Sequence, residues 1–209
     1  ENNEYIVLNK WSQIATQGGS KIKISIDHII RHINLNYRLV HRLDKETSGL
    51  LLIAKNLNYA KKLSSLFKQK EITKFYIALC EGKPKNNHSK VKLEIKNKKL
   101  KIENTLTNYK VVNTNRSISS IVFNPQTGKT HQLRIVSKNL GCPIVGDNKY
   151  NIHSKYKKES LMLHAFALKF TIDKKQYEYI SNLPDAFLNF IKKNNLKINR
   201  DLKKYLNIF

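Results

Sequence analysis

The apolar run Leu50-Leu51-Leu52-Ile53-Ala54, directly after Gly49, is the strongest constraint on what this chain can fold into. Successive side chains of a strand point to opposite faces, so a half-buried strand alternates apolar with polar residues. An unbroken run has no polar face to offer water and suits a strand buried on both faces. Just ahead of it stands His41-Arg42-Leu43-Asp44-Lys45-Glu46-Thr47-Ser48. This segment sets one acid, Asp44, beside an arginine and before a Thr-Ser-Gly turn. A carboxylate on a loop anchored by a buried strand is a candidate catalytic group, because rigid scaffolds position reactive side chains and loops present them. The same Asp can equally serve only its own turn, by hydrogen-bonding nearby backbone N–H groups.

Other segments read by the same logic. Tyr5 to Leu8 is a short apolar run that predicts a strand, and Ile22 to Ile33 places apolar residues at helical spacing. Asn56 opens a helix with Leu57, Ala60, Leu63, Leu66 and Phe67 on one face and lysines on the other. Ile72 to Cys80, rich in β-branched and aromatic residues, predicts a strand closed by the Glu81-Gly82-Lys83-Pro84 turn. Val91 to Ile102 alternates charged and apolar residues around Lys96-Asn97-Lys98-Lys99, which predicts a basic hairpin. Leu106 to Val112 and Ile118 to Phe123 predict two strands, Thr130 to Leu140 a helix, Leu161 to Thr171 a buried strand, and a last helix follows Pro184. Strands and helices mix without steady βαβ alternation, so the expected class is α+β with a mixed, largely antiparallel central sheet and flanking helices. The Lys-rich stretch from Lys83 to Lys101 is expected to be the most mobile excursion.

A chain of 209 residues with 40% hydrophobic content holds enough apolar surface for a real core, which excludes a disordered tail. Lys and Arg total 39 against 15 Asp and Glu, a formal charge of +24, which suits a polyanionic partner whose counterions are released on binding. The bland alternative is a Lys- and Asn-rich composition spread over a solvated surface. Only six arginines occur, and two of them, Arg42 and Arg134, fall inside motifs where a planar bidentate fork has a use. Cys80 and Cys142 lie far apart in apolar surroundings and suggest neither a disulfide framework nor a metal knuckle, so a reducing, cytoplasmic setting is expected. No segment is long and apolar enough for a membrane span.

Two tempting motifs fail on spacing. Gly128-Lys129-Thr130 would need a glycine five positions before Gly128 to form a P-loop, and that position is Phe123. His28 and His32 have the i,i+4 spacing of a metal pair, but the accompanying glutamate and a third ligand are missing. No metal is expected.

The block His41-Arg42-Leu43-Asp44 with Thr47-Ser48-Gly49 resembles the catalytic signature of the RluA-type pseudouridine synthases. Further segments follow in that family's order. Tyr5 to Lys10 looks like its opening strand, Lys74-Phe75-Tyr76-Ile77-Ala78-Leu79 like its tyrosine motif, and Thr127-Gly128-Lys129-Thr130-His131-Gln132-Leu133-Arg134 like its third motif. Gly141-Cys142-Pro143-Ile144, Gly146-Asp147 and Leu163-His164-Ala165 complete the match, which covers nearly the whole chain. The run from Gly18 to Ser20 and the helix after it look most like the C-type members that act on large-subunit ribosomal RNA. The resemblance implies that residues 1–209 form one catalytic domain with a cleft. Many members carry a small RNA-binding domain of the S4 type upstream, and nothing in this chain, which begins at Glu1, corresponds to it.

The chemistry the resemblance implies is cofactor-free. Pseudouridine formation breaks a carbon–nitrogen glycosidic bond, turns the uracil and rejoins it through carbon, and an ionised carboxylate can act as nucleophile or base. By this likeness Asp44 is that carboxylate, Arg134 is its charge partner, Tyr76 stacks on the extruded uracil or relays a proton, and Leu133 is the apolar wall opposite. Arg42 would help flip or hold the RNA, while Lys45, Lys74 and Lys129 would attract phosphate. Read singly, each has a plainer role: a structural ion pair for Arg134, a core aromatic for Tyr76, solvated surface for the lysines. His131 and His164 are expected to make structural hydrogen bonds. Trp11 stands where the family usually has proline, Val136 where many members have histidine, and Asn151 where glycine follows the tyrosine. None of these departures touches the acid or the arginine. The expected partner is RNA, most simply large-subunit ribosomal RNA, acted on by a monomer. Transfer RNA as substrate, or a non-catalytic RNA-binding or ribosome-assembly protein, are the rival readings.

Overall fold

The computed structural model describes residues 2–19, 22–96, 99–115 and 117–209. The chain divides into two compact units, one of Glu1–Thr73 with Ala167–Ser181 and the other of Lys74–Phe166 with Asn182–Phe209. The class is α+β with largely antiparallel strand pairing, as the sequence led one to expect.

The first unit is built around β3, Ser48–Ala54, in which every residue is buried. β1, Tyr5–Lys10, pairs antiparallel along it from Tyr5 opposite Ala54 to Lys10 opposite Gly49, and the two-residue β2, Arg38–Leu39, pairs with its far end. Gly49 has φ +117, a conformation that side chains other than glycine rarely adopt, which accounts for glycine where the loop enters the strand. α2, Leu57–Gln69, is capped by Asn56, whose side chain accepts from the Tyr59 N–H. Its Ala60 and Leu63 join Leu50, Leu52 and Ile72 in the core, as the helical spacing predicted; Leu57, at the first helical position, is 61% exposed instead. α1, Ile26–Ile33, is shorter than the periodicity from Ile22 suggested and buries only Ile26 and Ile30. Ser20, the end of the Gly18 to Ser20 run, lies outside the described residues.

This unit also holds a hairpin that the sequence did not announce. The last six residues of β8, Leu163–Ile172, pair with β9, Lys175–Ile180, through a two-residue turn at Asp173 and Lys174, both with positive φ. Such turns normally advertise themselves through Asn-Gly or Asp-Gly, and here a lysine occupies the glycine position. Lys62 reaches Asp173 at 2.6 Å and the Tyr59 hydroxyl donates to the same carboxylate, which ties the turn to α2.

The second unit holds β4, Thr73–Glu81, and β7, Ile118–Pro125, then β6, Ile102–Thr114, and β5, His88–Lys96, each antiparallel to its neighbour. The Lys-rich stretch expected to be a mobile excursion is thus paired with β6 along His88 to Lys96, and Asn97 and Lys98 of its turn lie outside the described residues. α3, Gln132–Asn139, begins two residues later than Thr130, because His131 turns into a left-handed conformation with φ +55. α4, Asp185–Lys193, follows Pro184, and a short 3-10 turn at Leu202–Tyr205 closes the chain. Cys80 and Cys142 are buried free thiols that meet each other across a bridge between Cys80 and Ile144, despite their separation in sequence. Among the described residues no helix is long and apolar enough to cross a membrane.

His164 on β8 is fully buried against Phe187 and hydrogen-bonds the backbone of Asn182. Burial pushes its imidazole down to about 4 from an ordinary 6.5, the Asn182 hydrogen bond opposing this only in part. The unfolded chain therefore takes up this proton at a higher pH than the folded chain does. The stabilisation is complete above pH 6.5 and is lost as pH falls towards 4, a loss of roughly 3 kcal/mol from this one group. Urea denaturation across that window should show stability falling in the wild type and falling less in His164→Asn. Parallel curves for the two proteins would refute a neutral buried imidazole.

Candidate active site

The acid-bearing loop of the first unit is fastened on three sides by one short segment. The Thr16 hydroxyl donates to the Leu43 carbonyl at 2.7 Å and accepts from the Leu43 N–H at 3.1 Å. The Ser12 hydroxyl donates to the Glu46 carbonyl at 2.6 Å. Lys10, only 1% exposed, donates from Nζ to the carbonyls of Trp11 and Ile14 at 2.9 Å and of Lys45 at 3.2 Å. Within the loop, the Thr47 N–H returns to the Asp44 carbonyl at 3.1 Å. Residues 10–16 thus grip 43–46 on either side of Asp44, whose own side chain is half-buried. His41 completes the support: its Nε2 accepts from the Leu52 N–H at 2.8 Å and its ring stacks on Phe67.

Lys10 is buried at the end of a strand whose Asn9 is exposed, and a buried ammonium is costly unless its three donors are satisfied. Here each finds a carbonyl. Burial still pushes its pKa down to about 8 from 10.5, with the carboxylates of Glu46 and Asp44 pulling it partly back. The cost of burying the charge is present below about pH 8 and is relieved as pH rises towards 10.5. Arg42 and Lys45 are exposed on the same loop, and Arg42 donates to the Gln17 side chain at 3.3 Å. In the sequence Lys10 is only the end of a strand, and Ser12 and Thr16 carry no signal of their own. The one signal the sequence offers is a lysine two residues after the apolar run Tyr5 to Leu8.

In the second unit, Arg134 and Leu133 lie buried at the start of α3. Arg134 donates from Nε and Nη2 to the two carboxylate oxygens of Asp147, at 2.9 and 2.7 Å. Asp147 Oδ1 also accepts the N–H groups of Lys149 and Tyr150 at 3.1 and 3.0 Å. The Arg134 guanidinium sits 5.3 Å from the Tyr150 ring centroid, and the Tyr150 hydroxyl meets His131 Nδ1 at 2.9 Å. Gly146, φ +74, makes the turn that delivers Asp147; a Cβ there would collide with the backbone carbonyls of Ser160 and Glu159. In the sequence Asp147 is only part of a Gly-Asp pair, and nothing there says which arginine it meets.

Gln132 fixes the loop before α3. Its Oε1 accepts from the Thr127 hydroxyl and the Lys129 N–H at 2.8 and 3.0 Å, while its Nε2 donates to the Thr107 hydroxyl at 2.9 Å. The Lys129 N–H is thereby engaged inside the loop, in keeping with the failed P-loop spacing. Lys129 Nζ meets Glu103 at 3.0 Å, so part of its charge is already answered. Tyr76, half-buried on β4, lies opposite Phe123 of β7, and the Lys74 carbonyl two residues earlier accepts from Asn124 at 3.0 Å. Lys74 Nζ lies 3.9 Å from where a Cβ on Gly128 would stand, which groups Lys74 with the Gly128-Lys129 loop. Among the described residues no group of three His, Cys, Asp or Glu side chains could hold a metal ion.

An α+β fold that presents one acid on a clamped, cation-flanked loop is a scaffold for a reactive carboxylate, and comparison with known proteins gives the family. A family model described as RNA pseudouridylate synthase matches residues 4–139, and the chain belongs to that family of RNA pseudouridine synthases. A ribosomal large subunit pseudouridine synthase C of Rickettsia prowazekii (strain Madrid E) is 42% identical over 209 residues, covering 90% of this chain and 68% of that protein. The protein of the same name from Rickettsia felis is 43% identical over 185 residues, covering 79% of this chain and 59% of its own length. The chain thus spans between 59% and 68% of these two relatives. The solved structure of human RNA Pseudouridylate Synthase Domain Containing 4 superposes with a TM-score of 0.84 at 23% identity, over 95% of this chain and 92% of that one, which establishes the fold.

Two substitutions test the supports. Asp147→Ala leaves the buried Arg134 without its bidentate acceptor and is expected to cost about 3–5 kcal/mol in urea denaturation. Asp147→Leu combined with Arg134→Met should cost markedly less; equal losses for the single and double variants would show that the pair is not what holds this region. Lys10→Met leaves three carbonyls without a donor, each worth about 1 kcal/mol or more when buried. Limited proteolysis should then cut within residues 10–16 or 43–47 well before the wild type is cut there, and an unchanged pattern would refute the clamp.

Proposed function

We propose that this chain converts uridine to pseudouridine in large-subunit ribosomal RNA, without a cofactor, through Asp44. The observation that carries the reading is the loop itself: Asp44 is half-exposed while the backbone on both sides of it is held by Thr16, Ser12 and Lys10. A carboxylate serving only its own turn does not need a buried ammonium and two hydroxyls to fix its neighbours. The choice of ribosomal RNA is supported by the names of the Rickettsia relatives, and the choice of a polyanion by the formal charge of +24.

In this reading Asp44 is ionised and acts on the sugar or the base as the C1′–N1 bond breaks; the uracil turns and rejoins through C5, whose proton leaves to solvent. The family resemblance assigns Arg134 as the cation that answers the charge of Asp44, and within its own unit the bidentate contact with Asp147 holds that guanidinium in one orientation. Tyr76 and Leu133 frame the extruded uracil. Arg42 helps the target base leave its stack, an unstacking cost of a few kcal/mol recovered from pocket and phosphate contacts. Lys45 and Lys74 meet phosphate, with Lys129 weaker because Glu103 already answers it.

Release of tritium from ribosomal RNA labelled at uridine C5 tests the reading directly. Wild type should release label, while Asp44→Ala and Asp44→Asn, folded by circular dichroism, should still bind RNA and release none. Residual turnover that merely tracks the stability of the Asp44 variants would favour a structural acid and a non-catalytic RNA-binding protein. Label released from transfer RNA but not from ribosomal RNA would move the substrate.

A further inference from the structure

Trp11 is the only tryptophan in the chain and is 77% exposed. An indole so open to water forgoes most of the apolar burial that a large aromatic side chain normally gains on folding. Its backbone carbonyl is nevertheless held by a buried cation. The Trp11 carbonyl accepts from Lys10 Nζ at 2.9 Å, and that same ammonium holds the Lys45 carbonyl, next to Asp44, at 3.2 Å. The adjacent Ser12 is tied to Glu46 at 2.6 Å. One buried cation therefore links the base of the indole to the acid-bearing loop. The exposed side chains of Arg42 and Lys45 put positive charge on that loop.

We propose that Trp11 is a base-stacking residue, its indole lying against an unpaired nucleobase that neighbours the target uridine in the substrate RNA. Every nucleobase offers a π face, so such a contact needs no hydrogen-bond readout and adds affinity without fixing sequence. A held backbone matters for this role, because it leaves only the side-chain torsions to be ordered when the base arrives. The ring also adds what lysine-rich surfaces lack, since phosphate contacts attract any strand equally, whereas stacking requires an unpaired base. The inference rests on the proposed function for the identity of the neighbouring uridine. The stacking contact itself does not depend on turnover.

Because Trp11 is the sole indole, emission excited at the red edge of the ultraviolet band, beyond the absorption of the ten tyrosines, reports on this side chain alone. Titration with short single-stranded uridine-containing RNA should quench its emission, with the same midpoint as binding followed by anisotropy of the labelled RNA. Trp11→Ala should weaken that binding about 10-fold, Trp11→Phe should retain most of it, and Trp11→Pro should behave like Trp11→Ala. The dependence on salt should keep its slope in all three variants, since no charge is removed. RNA that binds without changing the emission, together with wild-type affinity for Trp11→Ala, would overturn the stacking role and leave the indole as a protein-docking residue. Tritium release with unchanged emission would defeat stacking and leave the synthase reading intact. Saturable quenching with no release from any cellular RNA would support stacking and defeat the catalytic reading. Absence of RNA binding at low salt would defeat both.

Discussion

The arrangement of the acid-bearing loop depends on one buried ammonium. Lys10 sits at the end of β1 opposite Gly49, the residue at which the loop enters β3, so the strand pairing brings it to the place where the loop needs an anchor. Its three donors go to carbonyls on both segments, and this turns a charge that burial disfavours into a clamp. Thr16 and Ser12 add neutral hydrogen bonds beside it. The result is a loop whose backbone is defined although it belongs to no helix or strand, which is what a reactive side chain needs in order to be presented at a fixed angle.

The second unit solves a similar problem with opposite signs. Arg134 is buried on a helix and would be costly alone; Asp147 receives it bidentately, and two backbone N–H groups share the remaining capacity of the carboxylate. The turn that delivers Asp147 tolerates only glycine at Gly146, because carbonyls occupy the space where a Cβ would stand. Gln132 does for the preceding loop what Asp147 does for the helix, using a neutral amide to bind Thr127, Lys129 and Thr107 together. In both units the side chains attached to the chemistry by resemblance are held by polar neighbours that a contact-free reading of the chain does not single out.

Much of the fold was legible because periodicity reports burial. β3 carries an unbroken apolar run and every one of its residues is buried; α2 begins at the Asn56 cap and packs Ala60 and Leu63 inward. What escaped had weak local signals. The β8–β9 hairpin turns on Asp173-Lys174 without a glycine, β2 has only two residues, and α3 starts late because His131 takes a left-handed conformation. The site was legible in part for the same reason. The matching segments contain Lys10, Gln132 and Asp147 without saying what each one meets, and Thr16 lies outside them; their partners are settled by distance in space.

The sequence by itself determined the α+β class, the buried strands and the family, because each is encoded by residues close together along the chain or in fixed order. Only the tertiary structure decided that Lys10 closes on the acid-bearing loop, that Arg134 meets Asp147, that Cys80 adjoins Cys142, and that Trp11 stays open to water. The physical reason is that hydrogen bonds and ion pairs act over about 3 Å, so which donor meets which acceptor is undetermined until strand register and turn geometry have set those distances.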